Sequence, residues 1–259
     1  MIPFPTYETF AALAADPRFP VAIGIGILSG VVRGFSGFGS ALIYIPLMAA
    51  LYGPREAAAT LVLMDFTSAL LPAIKARKEA NWSDLVPIGI AAVLFAPLGT
   101  ALLLVADPAV LRWTMCLLVL GLLIVLISGW RYRGGTPPLS AKIAIGAVAG
   151  VGGGATQIGG PPLIFYWLST AVPAVMRANL LVYFQIIDAA LIVSYTVQGV
   201  FDEKNIALAL IVGPAFGIAL WIGTFFFHGA SDRLYRNVAY IIVALAALVS
   251  LPLFDGLLR

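Results

Sequence analysis

Two stretches of this chain set glycine beside polar and charged side chains in otherwise apolar surroundings. They are Arg33-Gly-Phe-Ser-Gly-Phe-Gly-Ser40 and Gly152-Gly-Gly-Ala-Thr-Gln-Ile-Gly-Gly-Pro-Pro162. Glycine lets backbone approach a ligand closely, and Pro161 and Pro162 suit the first turn of a helix, where a missing N–H costs nothing. Two helix starts facing each other, each with orphan N–H groups and a positive dipole end, would form a small anion site. Its candidate contacts are Arg33, Ser36, Gly37, Gly39 and Ser40 from the first stretch, with Thr156, Gln157, Gly159 and Gly160 from the second. A guanidinium grips an oxyanion through paired hydrogen bonds, and an ionisable residue inside a membrane is a functional candidate by default. Arg33 could equally sit at a cytoplasmic helix end and snorkel to the interface. Ser36, Thr156 and Gln157 either donate to the anion or bond the backbone of a broken segment.

Two acids lie in the middle of apolar runs, Asp65 and Asp188, with Gln185 one turn before Asp188 on the same face. Buried carboxyls can carry protons, which suits proton-coupled transport. The alternative is that each caps a broken helix or pairs with an arginine, Arg33 being the partner expected for Asp65.

The elements that must hold these groups follow from composition. The chain is 61% hydrophobic and 10% charged, against roughly 45–50% and about 25% in soluble domains. Its apolar runs are continuous rather than alternating, and only helices or closed barrels satisfy the backbone in lipid. The expected fold is therefore an all-α polytopic membrane protein. Segments are expected at roughly 19–33, 39–52, 56–75, 85–105 and 109–130, then at 142–154, 160–172, 178–199, 206–227 and 235–254.

Those two sets of five repeat one another. At a shift of about 120 positions Gly26, Gly30, Gly34 and Gly39 fall on Gly146, Gly150, Gly154 and Gly159, and Ser36 on Thr156. Farther on, Asp65 meets Asp188, Gly99-Thr100 meets Gly223-Thr224, and Arg112 meets Arg236. The expected organisation is a lead-in (1–18), a first repeat (19–133), a connecting loop (134–141) and a second repeat (142–259), with short broken or re-entrant helices meeting near the midplane. Lys75, Arg77 and Lys78 mark one loop, and its counterpart carries Asp202, Glu203 and Lys204; Arg131, Arg133, Lys142, Arg233 and Arg236 mark the other basic loops. By the positive-inside rule equivalent loops then lie on opposite sides, so the repeats are inverted and both termini are outside the cytoplasm. Inverted repeats with interrupted helices point to a transport site at the midplane.

Other residues add little. One cysteine (Cys116) and one histidine (His228) support neither a disulfide framework nor a metal site, and no cofactor is called for. The first residues have no basic n-region and are read as an interfacial lead-in rather than a signal peptide. Arg55, Glu56 and Arg177 are expected to flank helix starts at the interface, where Trp82, Trp113, Trp130 and Tyr132 also belong. Gly152-Gly-Gly154 is followed by no Gly-Lys-Ser/Thr, which excludes a phosphate loop. The pI near 9.1 comes from loop lysines and arginines and carries no sign of nucleic-acid binding. Small-residue faces would permit a homodimer.

The pattern from Gly34 to Leu47, G-x-S-G-F-G-x-x-L-x-x-x-P-L, together with Gly150 to Leu163, resembles the paired signature of the TauE/SafE family of anion transporters. The resemblance runs from the first glycine segment to the final helix. It implies a secondary transporter of the bacterial inner membrane, not an enzyme, moving sulfite or an organosulfonate such as sulfoacetate. Proton-coupled export is the expected mode. Gly153 stands where the second repeat would need an equivalent of Arg33, so the site should be asymmetric. Two rivals remain: a passive anion channel of the same composition, and an intramembrane serine protease using Ser36 with His228 as base. The protease is disfavoured because the motif recurs around Thr156, which a duplicated transport site explains and a dyad does not.

Overall fold

The computed structural model describes residues 4–36, 38–128, 137–226, 241 and 243–254. Within them the chain is all-α, without strands. Ten helices follow in order: α1 (Tyr7–Ala14), α2 (Phe19–Ser36), α3 (Ser40–Leu51), α4 (Pro54–Ala76), α5 (Trp82–Val105), α6 (Pro108–Ser128), α7 (Leu139–Thr156), α8 (Gly160–Thr170), α9 (Pro173–Val197) and α10 (Glu203–Phe226). Residues 243–249 are also helical. Among the described residues six helices are long and apolar enough to cross a membrane, or seven if α1 and α2, bent by 89° at their junction, form one span. Their outer faces carry exposed apolar side chains such as Leu94, Leu98, Ile124 and Trp221. This is a multi-pass membrane protein.

Local signals explain most of the helix starts. Pro54 opens α4, Asn81 caps α5 by accepting from the Ser83 N–H, and Pro173 opens α9. The lead-in contains α1, capped by Thr6, and the Thr9 hydroxyl donates to Glu203 at the start of α10 (3.0 Å). Helices α3 and α8 have 12 and 11 residues, so they reach only ~16–18 Å of a ~30 Å core. Each packs against its predecessor, α3 on α2 and α8 on α7.

Those predecessors correct the expected breaks. Both α2 and α7 have 18 residues and run straight through their glycines, α2 to Ser36 and α7 through Gly152-Gly-Gly154 to Thr156. The glycines form the seams of two close helix pairs. A Cβ at Gly30 or Gly34 would collide with the carbonyl of Phe216 or Leu220 on α10, and one at Gly150 or Gly154 with that of Ala92 or Ala96 on α5. Small faces that let backbones touch are how helices associate in lipid, and that packing overrides glycine's poor helix propensity. The seams correspond position for position: 216 − 92 and 220 − 96 both give 124, the separation of Gly99 and Gly223, which also lie in the two seams. Between the pairs, α4 and α9 pack on each other and bring their two acids to the centre.

Candidate functional site

The breaks are confined to the residues between α2 and α3 and to 157–159 between α7 and α8. Gly39 takes the left-handed conformation (φ 97°) to turn the chain into α3, and Gln157 does so (φ 57°) at the end of α7. That conformation is strained for a side chain other than glycine, and Gln157 is held by its neighbours. Its Nε2 donates to the Tyr195 hydroxyl (3.2 Å), which donates to the Gly154 carbonyl (3.0 Å).

The two breaks face a cavity of about 30 Å³, on a measure by which one water needs ~10–15 Å³. Its polar wall is Arg33, Ser40, Asp65, Gln157 and Asp188; Phe38, Leu122, Ile164 and Phe184 supply much of the apolar wall. Arg33 is 3% exposed, which removes the snorkelling alternative. Its Nε donates to Asp65 Oδ1 (2.9 Å) and its Nη2 to Asp65 Oδ2 (2.7 Å), a two-pronged ion pair between α2 and α4. The guanidinium also lies over the Phe184 ring, 4.9 Å from its centroid. Asp188 on α9 is buried within electrostatic reach of both Asp65 and Arg33. With both carboxyls ionised the three groups sum to one negative charge (+1 − 2); with one proton among them they are neutral.

Of the remaining candidates, Gly39 and Gly160 line the cavity, and Gly160 abuts the Phe184 ring. Thr156 does not: its hydroxyl donates to the Gly152 carbonyl (2.8 Å) and accepts from the Ile158 N–H (3.2 Å), so it closes the break. Gly159 faces the backbone of α7, where a Cβ would meet the Ala149 carbonyl. Gln185 donates to the Phe66 carbonyl (3.2 Å), tying α9 to α4 beside Asp65. The side chain of Ser36, Gly37 and His228 lie outside the described residues, as do Trp130, Arg131, Tyr132, Arg133, Arg233 and Arg236.

The helix starts are unequal. Pro161 and Pro162 leave Gly160 as the one N–H donor in the first three residues of α8, whereas Ser40, Ala41 and Leu42 of α3 all carry one, that of Leu42 donating to the Gly39 carbonyl (3.1 Å). Donors and arginine thus share the α2–α3 side. Sequence reasoning missed Phe184 and Tyr195, although Phe184 stands four residues before Asp188 and so shares its face. It also named no partner for two arginines that stand, as expected, near helix starts, Arg55 in α4 and Arg177 in α9. Arg55 donates to the carbonyls of Val200 (2.9 Å) and Gly199 (2.6 Å), fastening the turn before α10. Arg177 is half-buried and donates to the Gly34 carbonyl (3.4 Å).

A buried arginine and two carboxyls, enclosed by paired interrupted helices within a multi-pass bundle, define a membrane protein of the transport class. The profile of the sulfite exporter TauE/SafE family matches residues 22–250. The chain belongs to that family, whose members are transporters rather than enzymes. Comparison with curated proteins and with solved structures finds no match.

Proposed function

We propose that the chain is a secondary carrier that takes a small sulfur oxyanion, sulfite or a compact organosulfonate, at Arg33 and couples its passage to protons through Asp65 and Asp188. The observation that carries this reading is the two-pronged Arg33–Asp65 pair beside Asp188 in a cavity bounded by both helix breaks. Asp65 occupies the guanidinium edge that an oxyanion would use. A proton on Asp65 cancels its charge and releases that edge, so the anion enters as Asp65 is neutralised. The Ser40 hydroxyl and the N–H groups of Ser40 and Ala41 then supply further donors, and Gln157 closes the opposite side.

Proton and anion therefore load together. A monovalent anion with one proton crosses without net charge, and export follows when their concentration product is higher inside. The repeated glycine seams and the matched acids support two inverted repeats, 19–133 and 142–259, rocking about the central site. The basic loops support an orientation with both termini outside the cytoplasm, and membership of the family supports the bacterial inner membrane.

The test is flux of sulfite and sulfoacetate into proteoliposomes, with and without a pH gradient. Wild-type flux should follow the gradient, Arg33→Ala should abolish it, and Asp65→Asn should leave it indifferent to pH. Gradient-independent flux untouched by both changes would refute the site and favour a passive channel.

A further inference from the structure

We propose that Arg177 is a second anion station, through which a small oxyanion passes between the Lys75–Lys78 face of the molecule and Arg33. The inference rests on the carrier reading and adds to it a route and a direction of approach. Arg177, Leu181, Phe184 and Asp188 follow one another at spacings of four, three and four, so they line one face of α9. On that face Phe184 carries the Arg33 guanidinium and Asp188 borders the cavity. Arg177 lies seven residues earlier, ~10 Å back along the helix axis.

The end of α9 that carries Arg177 belongs to the basic-loop face. The Asn81 N–H, just past that loop, donates to Asn179 Oδ1 (2.7 Å), and Glu79 lies within charge range of Arg177. Arg177 is also within charge range of Arg33, and its Nη2 donates to Gly34, the residue that follows Arg33. The Gly34 backbone is fixed against Leu220, so Arg177 leans on the rigid α2–α10 seam. Two cations this close repel in surroundings of low dielectric, and an anion between them relieves that repulsion. An oxyanion arriving from the basic-loop side meets Arg177 first and Arg33 next. Glu79, exposed in the loop between α4 and α5, competes with it for Arg177.

The test measures KM for sulfite from each face, using membrane vesicles of opposite sidedness. Arg177→Ala should raise KM about tenfold from the Lys75–Lys78 face, the scale of one lost charge-assisted contact, and change it less than twofold from the other. Arg177→Lys keeps the charge and should recover most of the difference. Glu79→Gln, a surface change independent of Arg177 folding, should lower KM from the basic-loop face by about twofold. Equal changes from both faces in Arg177→Ala, or an unchanged KM in Glu79→Gln, would overturn the station while leaving Arg33 as the binding site. Absence of wild-type sulfite flux would instead refute the carrier reading, and the station with it.

Discussion

Replacing either partner of the buried ion pair should be harmful, but not equally so. Arg33 and Asp65 are 3% and 6% exposed, joined by bonds of 2.9 and 2.7 Å. Removing one member of such a pair costs about 3–5 kcal/mol, because the other is left buried without its counter-charge. Asp65→Asn leaves Asp188 within reach of Arg33, so the cation keeps a partner and the cost should fall near 3 kcal/mol or below. Arg33→Leu strands two carboxyls with no cation, and should reach about 5 kcal/mol. At roughly 2 °C per kcal/mol for a chain of this size, the losses in Tm are about 6 °C and about 10 °C. The triple variant Arg33→Leu, Asp65→Leu, Asp188→Asn removes every charge and should melt within a few degrees of wild type while carrying no anion. Cys116, the single cysteine and 1% exposed, serves as the unfolding reporter toward a thiol-reactive fluorophore. The reasoning fails if Asp65→Asn melts as low as Arg33→Leu, or if the triple variant melts lower than either.

Two further outcomes follow from packing and from the Gln157 clamp. Gly34→Ala and Gly150→Ala drive a methyl into the Leu220 and Ala92 carbonyls and should cost about 1–3 kcal/mol or more; Gly24→Ala and Gly121→Ala, where a Cβ meets nothing within 4 Å, should stabilise by up to about 1 kcal/mol, all readable as shifts in Tm. Tyr195→Phe removes the hydroxyl that holds Gln157 and should lower Tm by about 2 °C, for the loss of roughly 1 kcal/mol of hydrogen bonding. It should slow sulfite flux more than its stability loss explains, and unchanged flux would exclude Gln157 from the substrate path.

Much of this arrangement is legible in the amino-acid sequence. Continuous apolar runs locate α2 to α10 with each end at most five residues off, because in lipid the backbone leaves no other solution. A charged residue in such a run requires a partner, which is why Arg33 and Asp65, 32 positions apart, can be paired before any contact is seen. What escapes is whatever depends on the neighbouring helix. Gly152-Gly-Gly154 reads as a break by propensity, yet it is helical, packed by Gly154 against α5, by Gly153 against α9 and by Gly152 against the Ile158–Gly159 turn. Thr156 reads as a ligand donor, yet the backbone at Gly152 and Ile158 lies nearer. Arg177 reads as an interfacial anchor because nothing in its own segment reveals the Gly34 carbonyl.

The two glycine seams also set an order of assembly during synthesis. Gly99 and Gly154 are 55 positions apart, so the α5–α7 seam can close soon after α7 enters the membrane. Gly30 and Phe216 are separated by 186 positions, and α2 must wait for α10. At ~5–20 residues per second that wait lasts ~10–40 s, during which the glycine face of α2 has only lipid or an insertion factor against it. The first half made alone never meets its partner for α2. Supplied as two separate polypeptides, the halves would have to find each other within the bilayer before either could close its outer seam, and a stop codon anywhere before α10 leaves that seam open.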